Sequence, residues 1–105
     1  MKLATPVSSI KEGINRRFFV AIETLVSLGK VSSLESFCKE SGLSAPRYRE
    51  LRQTYGLTPK PGRVSRYKYI EHEGLYFLVA KYGISAEWLL TGKGKIFKNE
   101  ANHKI

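Results

Sequence analysis

A chain of 105 residues, 42% hydrophobic and 26% charged, suffices for one modest core and excludes two independent ones, because a short chain buries a smaller share of its surface on folding. No apolar run reaches the roughly 18 to 20 residues that span a bilayer, Met1 to Pro6 has no secretory character, and Cys38, the single cysteine, allows neither an internal disulfide nor a thiolate metal cluster; a cytoplasmic protein is expected. The net charge of +9 attracts polyanions, nucleic acid before acidic membranes or acidic proteins.

Glycines at helix-length intervals (Gly29, Gly42, Gly56, Gly83 and Gly92) each follow an amphipathic stretch and are expected to end it in the left-handed backbone, which predicts five helices. The first starts between Ser9 and Asn15 and ends at Leu28, with Ile10, Ile14, Phe18, Ala21, Ile22 and Leu25 recurring on one face. Ser32 with Glu35 reads as a capping box that opens a short second helix ending near Ser41. Ser44 caps a third, with Pro46 tolerated in its first turn, running to about Tyr55. Leu57 to Arg63, interrupted by Pro59, Pro61 and Gly62, is a loop. A fourth helix is expected from Ser65 to Tyr82, presenting Tyr67, Ile70, Gly74, Leu75, Leu78, Val79 and Tyr82 on one side. Within it Gly74 costs about 1 kcal/mol relative to Ala unless a neighbouring helix packs closely there. Ser85 caps a last short helix through Trp88, Leu89 and Leu90, with Glu87 in its first turn. Met1 to Val7 and Lys98 to Ile105 read as tails around an ordered core of about 9–97, so that 1–105 forms one domain.

Leu34 to Gln53 can be laid on a helix-turn-helix, two short helices crossing over a tight turn. Gly42 supplies that turn. Leu34, Phe37, Leu43, Tyr48 and Leu51 fall where the helices must pack, and Cys38 suits the crowded crossing. The same region gathers cations: between Ser44 and Tyr69 stand Arg47, Arg49, Arg52, Lys60, Arg63, Arg66 and Lys68, with Glu50 the only acid.

The closing segment, from Tyr82-Gly83-Ile84-Ser85 through Trp88-Leu89-Leu90-Thr91-Gly92 and Gly94 to Ile96-Phe97, resembles the ending of the phage-repressor-like (Cro and C1 type, lambda-repressor-like) helix-turn-helix domains. The likeness covers about Ile14 to Phe97. It implies an all-α, five-helix domain whose helices two and three read double-stranded DNA, usually as a homodimer acting in transcription, often as the repressor of a prophage or other mobile element. Two features depart from the family pattern: Ser41 stands where an aliphatic residue is usual, and the loop after Gly56 is longer than the usual link.

If the third helix enters a groove, its solvent face is Ser44, Ala45, Arg47, Arg49, Glu50, Arg52 and Gln53, with Tyr48 and Leu51 pointing inward. Arg49 could present its fork to guanine, Gln53 could pair with adenine, Glu50 could accept from a cytosine amine and Ala45 could touch a thymine methyl. Ser44 with the free amides of the helix start, Arg47, Arg52, Lys60, Arg63, Arg66 and Lys68 are better suited to phosphates.

Other motifs read more plainly. Trp88 beside Leu89 and Leu90 belongs to a core, Tyr67 and Tyr69 either pack amphipathically or stack on nucleotides, and Ile96 with Phe97 is a candidate dimer contact. His72 and His103 lack the spacing of metal or catalytic sites, Thr91 to Lys95 lacks that of a phosphate-binding loop, and with no aspartate in the chain no paired-carboxylate site suggests itself. No enzyme, cofactor, metal, membrane or small-molecule substrate is expected. Two other functions compete: a protein-interaction module of the same fold, docked on an antirepressor or toxin as an antitoxin-like partner, which so cationic a surface disfavours, and a sequence-indifferent or single-strand binder that stacks bases on its tyrosines.

Overall fold

A computed structural model describes residues 7–98. Five helices follow in order, α1 (Val7–Ser27), α2 (Leu34–Ser41), α3 (Ala45–Tyr55), α4 (His72–Ala80) and α5 (Ala86–Thr91); the β pairing among the described residues is an isolated antiparallel bridge between Ile84 and Phe97. The all-α class is as predicted. None of these helices is long and apolar enough to cross a membrane.

α1 is the spine of the core. Phe18, Phe19, Ala21, Ile22 and Leu25 are fully buried, and the Phe18 ring meets Phe19, Phe37 and Tyr48 at centroid distances of 5.0, 5.9 and 5.6 Å in the edge-on and tilted geometries that ring quadrupoles favour. Ile10, expected on this face, is instead exposed, because the buried stripe begins only at Asn15. The helix also starts earlier than predicted, so Val7 is helical rather than tail. Arg17 reaches across to α5 and donates to the carbonyls of Leu89 at 2.8 Å and Leu90 at 3.0 Å, satisfying acceptors that the end of a helix leaves open.

Ser33, not Ser32, caps α2, its hydroxyl accepting from the Ser36 amide at 3.0 Å. The predicted box with Glu35 does not form: burial of Leu34 sets the first turn one residue later, and the Glu35 carboxylate turns toward α3. Gly42 then bends the chain in the left-handed conformation, φ +77°, and Ser44 opens α3 by accepting from the Arg47 amide at 3.3 Å. Cys38 is fully buried in the crossing, where burial, with Glu35 adding, pushes its thiol up to about 11 and keeps it unreactive. The Ser41 hydroxyl donates back to the Phe37 carbonyl at 2.7 Å, so the polar residue at this helix end is satisfied locally. Gly56 ends α3 in an extended rather than a left-handed conformation.

The fourth helix is much shorter than predicted. Residues 65–71 are not helical, yet Ile70 is buried and Tyr67 half-buried against the core, so both apolar positions reach inward from an irregular segment. Gly74 is a point of close approach: a Cβ there would lie 3.2 Å from Ile70 Cγ2 and Leu43 Cδ1 and 3.3 Å from Phe18 Cε1. Gly74→Ala should therefore be net destabilising by about 1 kcal/mol, overpacking of about 1–3 kcal/mol exceeding the helix-propensity gain; a thermal melt at or above that of the parent would refute this.

After α5 the chain turns back. The Ser85 amide donates to the Ile96 carbonyl at 2.7 Å and the Lys98 amide to the Gly83 carbonyl at 3.0 Å, which places Ile96 and Phe97, half-buried, against the core and draws Lys98 out of the expected tail. The remainder of both tails, with His103, lies outside the described residues.

Candidate nucleic-acid interface

The underside of α3 is apolar and fixed. Tyr48 and Leu51 are fully buried, as predicted, and the Tyr48 hydroxyl donates to Glu71 Oε1 at 3.1 Å while accepting from the Glu71 amide at 2.9 Å. Glu71 is the N-cap of α4, so one phenol joins α3 to the start of the next helix. Burial pushes that phenol's pKa up, and the Glu71 carboxylate adds to the rise.

The opposite face carries Pro46, Arg49 and Gln53. Arg49 and Arg52 keep 46% and 38% of their side-chain surface exposed, with Nη1 and Nη2 at 3.5 and 4.0 Å from the Glu35 carboxylate on α2. Such exposed pairs are worth about 0–1 kcal/mol, so either guanidinium can exchange Glu35 for another anion at small cost. Ser44 is exposed at the helix start, whereas Ala45 is half-buried against the core and turned partly away from the outer face predicted for it.

Arg47 is a correction. Its side chain is only 19% exposed, stacked over the rings of Tyr67 at 4.6 Å and Tyr69 at 5.3 Å and 4.0 Å from Glu71, with Nε buried and unpartnered among the described residues. It lies on the flank of α3 that the irregular segment 65–71 covers, and the attraction of a guanidinium for an aromatic face draws it under the tyrosines instead of into solvent. Tyr67 and Tyr69 accordingly act as a lid on Arg47.

Residues 57–66 run back along one edge of α3 as a strap. The Lys60 amide donates to the Gln53 carbonyl at 2.9 Å. Thr54 Oγ1 donates to the Arg63 carbonyl at 3.3 Å and accepts from the Ser65 amide at 2.8 Å. Arg63 Nη1 donates to Gln53 Oε1 at 2.7 Å, and Glu50 accepts from the Arg66 amide at 3.0 Å and from Arg66 Nε at 3.3 Å. The Arg66 amide above all, followed by its guanidinium, holds the Glu50 carboxyl below its ordinary range against a smaller desolvation effect. Beyond the strap the Lys68 carbonyl accepts from the buried Asn15 amide at 2.9 Å, tying this stretch to α1, and Lys68 Nζ folds back to the Ser65 carbonyl at 3.2 Å.

The strap thus places Lys60, Arg63 and Arg66, all exposed, beside Arg49 and Arg52. An open groove of about 280 Å³ separates Pro46, Arg49 and Glu50 from Arg63, Val64 and Ser65; a second, of about 460 Å³, is bounded by Glu23, Arg49, Arg52, Leu57 and Lys60. Of the predicted residues, Ser44, Arg49, Arg52, Gln53, Lys60, Arg63 and Arg66 gather on or beside the outer face of α3. Glu50 is there but engaged by Arg66, Gln53 Oε1 is likewise engaged by Arg63, Lys68 lies further along the chain, and Arg47 is covered. Reasoning from periodicity missed the anchoring roles of Thr54, Asn15 and Glu71; for Glu50 the one signal was its being the lone acid among cations. Compared with protein-family models, with curated proteins and with solved structures, the chain matches none.

Proposed function

We propose that this chain is a sequence-specific duplex-DNA-binding protein: a cytoplasmic, homodimeric, repressor-like transcription regulator rather than an enzyme, with the phage-repressor arrangement in which α2 and α3 form the helix-turn-helix. The observation that carries the reading is one cationic surface, Arg49 and Arg52 on α3 with Lys60, Arg63 and Arg66 on the strap, standing over the buried underside of Tyr48 and Leu51. A helix of about 10–12 Å diameter matches a major groove about 12 Å wide. Arg49, central on the outer face, has the planar fork that suits guanine, and the strap cations suit the flanking phosphates. A single short helix reads too few base pairs for useful specificity, so two protomers are needed, with half-sites about one helical turn apart.

Selection from a random duplex library at fixed salt should enrich such a two-fold site. Arg49→Ala should cost about 1–3 kcal/mol on that site and relax one base position while leaving the melting temperature in place. No enriched sequence, or equal affinity for single strands, would overturn the reading.

A further inference from the structure

The acid at position 50 is anomalous on a surface meant for a polyanion. Its carboxylate sits on the edge of α3 that borders the groove with Arg49 and Val64, yet both oxygens are occupied by Arg66, Oε2 by the backbone amide at 3.0 Å and Oε1 by Nε at 3.3 Å. Bonded to Arg66 through both oxygens, the carboxylate is aimed at the strap rather than outward at a cytosine amine, and its charge repels phosphate. What it does hold is the strap: one turn further on, Thr54 fastens the carbonyl of Arg63 and the amide of Ser65, and between these anchors Val64 is left 77% exposed. An aliphatic side chain so exposed on a backbone so fastened is presented outward.

We infer that Glu50 is a positioning residue, locking Arg66 against α3 beyond the Thr54 anchor, so that the end of the strap and the helix meet DNA as one rigid surface. This rests on the duplex-DNA reading above and deepens it. Removing a negative charge from a DNA-facing surface ordinarily strengthens binding to every sequence; here neutralising position 50 also releases Arg66, the end of the strap that Thr54 does not hold, so affinity for the selected site falls while affinity for random duplex rises.

Glu50→Gln keeps the size but offers an N–H₂ where one of the two donors of Arg66 needs an acceptor. Glu23→Gln serves as the comparison, since Glu23 borders the neighbouring groove but lies on α1, outside the bonds that fasten residues 63–66. Competition titrations of the selected duplex against random duplex at one salt should give E50Q a preference reduced by about tenfold, the worth of one good contact, and E23Q an unchanged preference with both affinities raised. Exchange of the Arg66 amide, followed by NMR, should accelerate in E50Q with the helix content intact. If E50Q strengthens both duplexes in parallel as E23Q does, or the Arg66 amide stays protected, the positioning role is wrong and the DNA reading stands. A parent chain with no preference between the two duplexes would sink the DNA reading and this inference with it.

Discussion

Raising monovalent salt from 50 to 200 mM should weaken binding to the selected duplex by about three to four orders of magnitude, with a log–log slope of about −5 to −7. The solvent-accessible cations on and beside α3 are Arg49, Lys60, Arg63 and Arg66, exposed, and Arg52, partly so. If three or four of them reach phosphates in each protomer, a dimer neutralises about six to eight charges, each releasing most of one condensed counterion. Arg63→Ala should make the slope shallower by about two for a dimer and weaken all sequences alike, since a phosphate contact positions without specifying. Lys81→Ala should leave the slope unaltered, because that ammonium, beside Glu40 of α2 at the end of α4, is on neither α3 nor the strap. A slope flatter than about −2 would mean that these cations do not face phosphates at all.

How far such a surface can be foreseen depends on the range of the interactions that build it. Ser44, Pro46, Tyr48 and Leu51 act within one helix, so capping chemistry and periodicity alone locate α3 and its inward face, and the Gly42 turn follows from backbone sterics. The start of α4 does not: Tyr67, Ile70 and Gly74 recur at helical spacing, yet Ser65 and Arg66 are held off the helix by Thr54 and Glu50, Lys68 by Asn15 and Glu71 by Tyr48. Those bonds span 11 to 53 positions in sequence and leave no local signature. The covering of Arg47 is equally non-local, since Tyr67 and Tyr69 reach its flank of α3 from that irregular segment. The capping of α5 by Arg17, 72 positions away, is likewise invisible to any local pattern.

The stability of the α3 surface is expected to hinge on a core residue that lies beneath it. Phe18→Ala should cost about 3–5 kcal/mol and lower the melting temperature by more than about 12 °C, the shift such a loss implies for a domain of this size. Phe18 is fully buried and its ring touches the aromatic side chains of α2 and α3 at once, Phe37 at 5.9 Å and Tyr48 at 5.6 Å between centroids; it also lies against Gly74 of α4. Removing it opens a cavity bounded by three other helices, which cannot close without moving Tyr48 off Glu71 and so loosening both the underside of α3 and the start of α4. Because small domains are stable by only about 5–15 kcal/mol in total, the variant should bind DNA only as far as it remains folded, with affinity recovering on cooling. Arg49→Ala should do the reverse, losing affinity at every temperature with the melt unmoved. Phe18→Leu, which restores most of the buried volume, should recover the larger part of the loss; a Phe18→Ala melt within a few degrees of the parent would show that the core does not converge on this ring.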